Sequence, residues 1–167
     1  EVDQIYSSMP GTLNLAAAAQ LDMGTSADIV SNIMTGFGLR TDQLGGAVDV
    51  LSKAFISSNT DLRMLGDGMT YVGPIASGLG VSFEETTAAL GALSNAGIQG
   101  GMAGTSLRRI LGTLASESDK LGIATTDAAG NMRPLADIID DLNERGMTTT
   151  QTLEIFGDRG GPAMSAL

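Results

Sequence analysis

The stretch Ser82–Leu114, SFEETTAALGALSNAGIQGGMAGTSLRRILGTL, decides the fold. Ser82 and Glu85 form the S-x-x-E pattern, in which a hydroxyl and a carboxylate satisfy each other's orphaned backbone N–H groups, so a helix begins here. Thr86, Leu90, Leu93 and Gly97 follow at steps of four, three and four along one side, with Ala89 and Ala96 beside them. Gly97 ends the helix, as glycine does just past a C-terminus. Gln99–Gly104 contains three glycines and an alanine, which lets backbones approach more closely than ordinary side chains allow. Thr105 or Ser106 then caps a second helix whose Leu107, Ile110, Leu111 and Leu114 share a face, with Arg108 and Arg109 off it. The stretch therefore predicts two helices packed across a glycine-rich corner.

Upstream the pattern stays helical. Gln4–Leu21 is uncharged up to its end and rich in alanine, favouring a helix after the Pro10-Gly11 break. Ser26 and Asp28 start a helix with Ile29, Ile33 and Phe37 four apart, ended by Gly36 or Gly38. Thr41 or Asp42 caps the next, where Leu44, Ala47, Val48, Leu51, Ala54 and Phe55 give the clearest helical period of the chain. Asn59-Thr60-Asp61 caps another with Leu62, Leu65, Met69 and Val72 on one stripe, and Pro74 predicts a kink or restart after it.

Downstream, Leu121–Pro134 reads LGIATTDAAGNMRP, a turn at Asp127–Asn131 between two short extended pieces. Pro134 stands where a helix can begin, with Leu135, Ile138, Ile139 and Leu142 inward and Asp137, Asp140, Asp141 and Glu144 mostly outward. Gly146 ends it. Thr148–Thr150 cap a last short helix through Phe156, and Gly157–Gly161 reads as a flexible joint before Pro162. The expected fold is all-α: a compact bundle of about seven to nine short helices around the glycine-rich hairpin, with one small β-hairpin near 121–134.

The quoted stretch also carries a resemblance. Ala88-Ala89-Leu90, Leu93, Asn95-Ala96-Gly97-Ile98, Gly100, Ala103-Gly104-Thr105 and Leu107-Arg108 resemble the conserved core domain of phage tail tape measure proteins, the TP901-type family. Leu121-Gly122-Ile123, Asp127, Gly130, Leu135–Leu142 and Ile155-Phe156-Gly157 follow in the order this family shows. The likeness covers about Ala27 to Leu167. Together with the helical pattern it marks Leu90, Leu93, Asn95, Gly97, Gly100, Gly104, Leu107 and Arg108 as the packing and interaction residues. Residues 1–167 then read as a single core domain cut from a longer chain, with 1–25 a connecting helix from a preceding region and 157–167 the start of a following helical one.

Composition bounds the chemistry. Aromatics are only 4% of the 167 residues while glycines number 23, so the core is built from small and aliphatic side chains. The net charge of −10, with nine basic residues, argues against a specific nucleic-acid surface. The absence of histidine and cysteine removes the commonest general base, thiolate metal ligands and disulfides. Gly97–Gly104 is no phosphate loop, because Gln99 stands where its first glycine belongs and Thr105 where its lysine belongs. The acidic residues from Asp137 to Glu144 read as a solvated helix face before they read as a cation site, since leucines and isoleucines lie opposite. Ser106 lacks a nucleophile elbow and a histidine partner. The uncharged run Thr86–Leu107 could span a bilayer by length, but its five glycines, Ser94, Asn95 and Gln99 make it too polar and breakable for a lipid-facing helix.

The resemblance implies a structural protein that lies in the lumen of a phage tail tube or at its tip, sets tail length and leaves ahead of the DNA. A ruler of that kind is a long helix gaining ~1.5 Å per residue, whereas this chain stops about every fifteen residues. It therefore reads as a folded module attached to the ruler. No cofactor, metal or catalytic residue is expected. Expected partners are a homo-oligomer, trimer or hexamer, tail-tip or baseplate hub and tail tube proteins, and the host envelope or membrane on ejection. Two other classes stay open: a membrane-active pore module used in genome delivery and, behind it, a peptidoglycan hydrolase domain.

Overall fold

Helix caps divide the chain as the sequence predicts in kind, though not always in place. A computed structural model describes residues 2–167, with side chains from residue 9 onward. Along it run α1 (Val2–Ala19), α2 (Met23–Phe37), a 3₁₀ turn (Thr41–Gln43), α3 (Leu44–Ser57), α4 (Leu62–Gly78), α5 (Phe83–Asn95), α6 (Gly100–Ser116), α7 (Ser118–Leu121), α8 (Leu135–Arg145) and α9 (Thr149–Met164). The fold is all-α, and the described residues contain no strand.

Asp61, Ser82 and Thr148 each accept a hydrogen bond from the backbone N–H three residues on, the N-cap geometry their side chains favour. Gly38, Gly122 and Gly146 close α2, α7 and α8 in the left-handed conformation. Other expected starts move. Asp22, not Ser26 or Asp28, caps α2, taking the Thr25 N–H at 2.9 Å and the Thr25 hydroxyl at 2.7 Å. Ser26 lies one turn inside and is fully buried. Thr105 and Ser106 likewise fall inside α6, which starts at Gly100 after an extended Gln99. The expected breaks at Pro10 and Pro74 do not occur, since α1 and α4 run through them. Pro74 sits on the exposed side of α4 along with Thr70, where water can take the hydrogen bond that the missing N–H leaves open.

The expected β-hairpin reduces to one antiparallel bridge between Thr126 and Met132. Asp127 closes the turn by accepting from the Ala129 and Asn131 amides, both at 2.9 Å. The bridge is made by the Asp127 N–H to the Asn131 carbonyl at 2.8 Å and the Arg133 N–H to the Thr125 carbonyl at 2.9 Å, while the Met132 N–H, on the other side, donates to the Leu79 carbonyl at 2.9 Å and pins the loop to the end of α4.

One apolar cluster joins all the longer helices. The stripe Leu62, Leu65, Met69 and Val72 of α4 is buried, as are Leu107, Ile110, Leu111 and Leu114 of α6 and Leu44, Ala47, Val48 and Leu51 of α3. α4 is the central element. It packs most extensively on α6 and next on α2, while α6 also carries α9, and α5 bridges α3, α4 and α6. The glycine-rich turn between α5 and α6 is present, but α6 makes its principal contact with α4. The reason lies at the crossing described below.

The capping box expected at Ser82 forms only by half. Ser82 Oγ accepts from the Glu85 N–H at 3.1 Å, but the Glu85 carboxylate turns away and accepts from the backbone N–H of Leu135, at the start of α8. Pro134 offers α8 no side-chain cap, so a carboxylate from α5 supplies the acceptor and a negative charge at the positive end of the helix. Glu85→Ala should lower stability by about 1 kcal/mol and Glu85→Gln by less, read from urea unfolding; equal losses would mean that the charge alone carries the effect and the acceptor oxygen adds nothing. The Thr25 hydrogen bonds hold the Asp22 carboxyl below its ordinary pKa, and the Arg40 hydrogen bond does the same for Asp42. Both depressed values stabilise the fold at neutral pH, and that contribution is lost as pH falls through and below about 4. Asp22→Asn with Asp42→Asn should flatten this part of the stability–pH curve.

Candidate functional site

α4 and α6 meet at Gly68 and Gly104. A Cβ placed on Gly104 would stand 2.1 Å from the Gly68 carbonyl oxygen and 2.7 Å from its Cα, so two backbones touch with no side chain between them. The α-hydrogen of Gly104 takes that place and points at the carbonyl, in the manner of weak Cα–H···O contacts. On its other side Gly68 is covered by Leu90, whose two δ-methyls lie 3.2 Å from where a Cβ would be, and by the Gly100 carbonyl at 3.3 Å. Leu90, Gly100 and Gly104 thus converge on one residue of α4. Leu93 and Leu107 are fully buried in the same cluster.

The glycines of the sequence-marked set divide by role. Nothing lies within 4 Å of a Cβ on Gly97 or Gly100, whose φ values are 85° and 56°; their contribution is the backbone conformation of the turn. Around Gly97 the Ile98 N–H reaches the Leu93 carbonyl at 2.9 Å and the Gly97 N–H the Ser94 carbonyl at 3.0 Å, a Schellman closure. Asn95 is exposed, and its Oδ1 accepts from the Asn59 N–H at 2.7 Å while Gln99 Nε2 donates to the Asn59 carbonyl. These two side chains clamp the α3–α4 turn to the α5–α6 turn. Arg108 is exposed, with no ion pair or hydrogen bond among the described residues.

Sequence reading missed Gly68 and Arg109. Gly66 and Gly68 sit in a helix interior, where each glycine costs about 1 kcal/mol relative to alanine, and that unexplained penalty was the available signal. Arg109 organises α9. Its Nε donates to the Phe156 carbonyl at 3.3 Å, next to the break at Gly157, where φ is 73° and ψ −179°. Its stem packs 3.1 Å from the position a Gly160 Cβ would take, and Gly161 is covered by Leu153. The stretch expected to be a flexible joint, Gly157–Gly161, is therefore packed at Gly160 and Gly161, with Phe156 and Ala163 fully buried on either side.

Between α4, the outer face of α6 and the second half of α9 runs an open groove with lobes of about 800 and 640 Å³ that share Thr105, Arg108, Asp158 and Arg159. Tyr71 and Met102 line it while 50% and 66% exposed. Arg109 and Glu117 border the smaller lobe, and Glu117 is paired with Lys120 at 2.8 Å. Among the described residues, no group of three acidic, histidine or cysteine side chains could hold a metal ion, and no helix is long and apolar enough to cross a membrane. What this surface presents is exposed apolar side chains flanked by guanidinium groups, Arg108 and Arg159, that form no ion pair among the described residues.

A profile of the family described as phage-related minor tail protein matches residues 1–159. The tape measure protein of Pneumococcus phage Dp-1 is 35% identical over 158 residues, covering 90% of this chain and 14% of that protein. The probable tape measure protein of Escherichia phage P2 is 34% identical over 182 residues, covering all of this chain and 22% of that protein. The chain thus spans less than a quarter of the length of these relatives. No solved structure matches it.

The crossing makes a signed prediction within one helix. Gly104→Ala forces α4 and α6 apart and should destabilise by about 2–3 kcal/mol. Gly112→Ala adds a Cβ in ordinary contact, 3.8 Å from Ile75 Cδ1, and should stabilise by about 0.5–1 kcal/mol. Chemical denaturation of both variants reads the two signs, and a neutral Gly104→Ala would refute the close-approach account.

Proposed function

The chain belongs to the phage-related minor tail protein family, and on that footing we propose that it is a folded module of a tape measure protein. In this reading the whole protein sets tail length from within the tail tube or tip, and this module anchors it at one end of the tail or acts during its release into the host. The observation that carries the assignment is the frequency of helix stops. The longest helix, α1, has 18 residues and spans about 27 Å, so length measurement belongs to other parts of such a protein. The relatives' names support a tail role, and the glycine crossing supports a module whose task is to hold a shape.

The module is a structural element without catalysis. A chain lacking histidine and cysteine has no triad of the Ser–His or Cys–His kind, and Glu85, the half-buried member of the Glu84–Glu85 pair, is engaged at the start of α8, which supports this reading over a hydrolase. Membrane insertion is the reading of second rank. The uncharged run Thr86–Leu107 is divided by a turn between α5 and α6, and its leucines, Leu90, Leu93 and Leu107, already face the core, which favours packing over insertion. Its partners are further copies of itself in the threefold or sixfold symmetry of a tail, hub and tube proteins, and the host envelope during ejection.

Insertions separate module from ruler. In phage carrying this chain within its tape measure protein, twenty helical residues added to a long uninterrupted helix should lengthen the tail by ~30 Å. The same number of flexible residues inserted between Ala128 and Ala129, in the exposed turn, should leave tail length unchanged. Electron microscopy of purified tails reads both, and lengthening by the turn insertion would refute the module assignment.

A further inference from the structure

We propose that the groove between α6 and α9 receives the acidic outer face of α8 from a second copy of this chain. The inference deepens the self-association proposed above and rests on it. The chain carries a net charge of −10 with only nine basic residues, yet Arg108, Arg109 and Arg159 gather in this groove. Arg108 and Arg159 form no ion pair with any described residue, including Asp158, which lines the groove beside them. The groove's other carboxylate, Glu117, is already neutralised by Lys120. Unpaired guanidinium groups beside the exposed Tyr71 and Met102 are the composition of an association surface: aromatic and methionine anchors with arginine at the edge.

The complement is on the same chain. On α8, Asp137, Asp140 and Glu144 fall at steps of three and four and form one exposed stripe opposite the buried Leu135, Ile138 and Leu142. None of the three is paired within the described residues, since the α8 ion pair to Arg133 uses Asp141. An acidic helix laid into a groove of positive charge is a recurrent recognition mode. Because groove and stripe are different patches, the contact is heterologous: each copy gives one and receives one, so the copies close into a ring if the rotation allows. Nucleic acid, the other polyanion for a basic groove, is disfavoured by the repulsion that the overall negative charge imposes.

Charge reversal tests the pairing. Arg108→Glu with Arg159→Glu on one chain, and Asp140→Lys with Glu144→Lys on another, change exposed side chains, and circular dichroism checks that both variants fold. Analytical ultracentrifugation at low salt should show the unsubstituted chain associating, each variant alone at least tenfold weaker, and an equimolar mixture of the two restored, because the swapped groove then faces the swapped stripe. Association of the unsubstituted chain that neither variant weakens, or a mixture that stays monomeric, would overturn the groove–α8 contact while leaving self-association standing. An unsubstituted chain that is monomeric at every concentration would overturn both. Binding of a duplex DNA oligonucleotide that is lost in the Arg108→Glu, Arg159→Glu variant would give the groove to nucleic acid and overturn the proposal.

Discussion

Two backbones in contact at Gly68 and Gly104 set the arrangement of everything around them. Helices with ordinary side chains at their contact keep their axes about 8–10 Å apart, and removing both Cβ atoms lets α4 and α6 come closer. Glycine in a helix interior costs about 1 kcal/mol relative to alanine, so two such residues represent a local penalty that tertiary contact must exceed. It does so by bringing the full lengths of two apolar stripes together. Leu62, Leu65, Met69 and Val72 lie on one helix, and Leu107, Ile110, Leu111 and Leu114 on the other. At roughly 1.5–3 kcal/mol per fully buried aliphatic side chain, those eight residues outweigh the penalty several-fold before conformational entropy is subtracted.

Everything else is placed relative to that pair. Leu90 of α5 and the Gly100 carbonyl close over Gly68, which fixes where the α5–α6 turn must stand. The α5–α6 turn in turn holds the α3–α4 turn through Asn95 and Gln99, and Arg109 on the far side of α6 seats the broken α9. The groove is the space left between α9 and the crossing. Its charge follows from the same construction, because the apolar side of α6 is used up against α4 and the arginines are left on the outer side. A scaffold of this kind has a well-defined outline fixed by one backbone contact.

Length and division of labour follow from the same helices. A measuring element benefits from one uninterrupted rod, whereas this chain spends its residues on caps, turns and crossings. The two functions are incompatible within one segment, so a protein needing both must place them in separate parts of its chain. The chain spans 14% and 22% of the two tape measure relatives, so most of the length of those proteins lies outside the part it matches.

Much of this was legible from the residues alone. Ser82 and Thr148 as caps, Gly97 and Gly146 as stops, and the stripes of α3, α4 and α6 all follow from local chemistry, which acts within a turn or two of the chain. Partner choice did not. Gly104 is recognisable as a site of close approach, but that it meets Gly68 of α4 and not a residue of α5 depends on two helices separated by dozens of residues in sequence. The Glu85 carboxylate could equally have closed its own helix start, and only the uncapped N-terminus of α8 nearby draws it away. The Leu121–Pro134 hairpin shrank to one bridge because the Leu135 N–H, which would have continued the pairing past Pro134, goes to the Glu85 carboxylate. Sequence determined which groups were left unsatisfied; the tertiary structure decided which distant groups satisfied them, because hydrogen bonds and apolar surfaces pair by proximity in space.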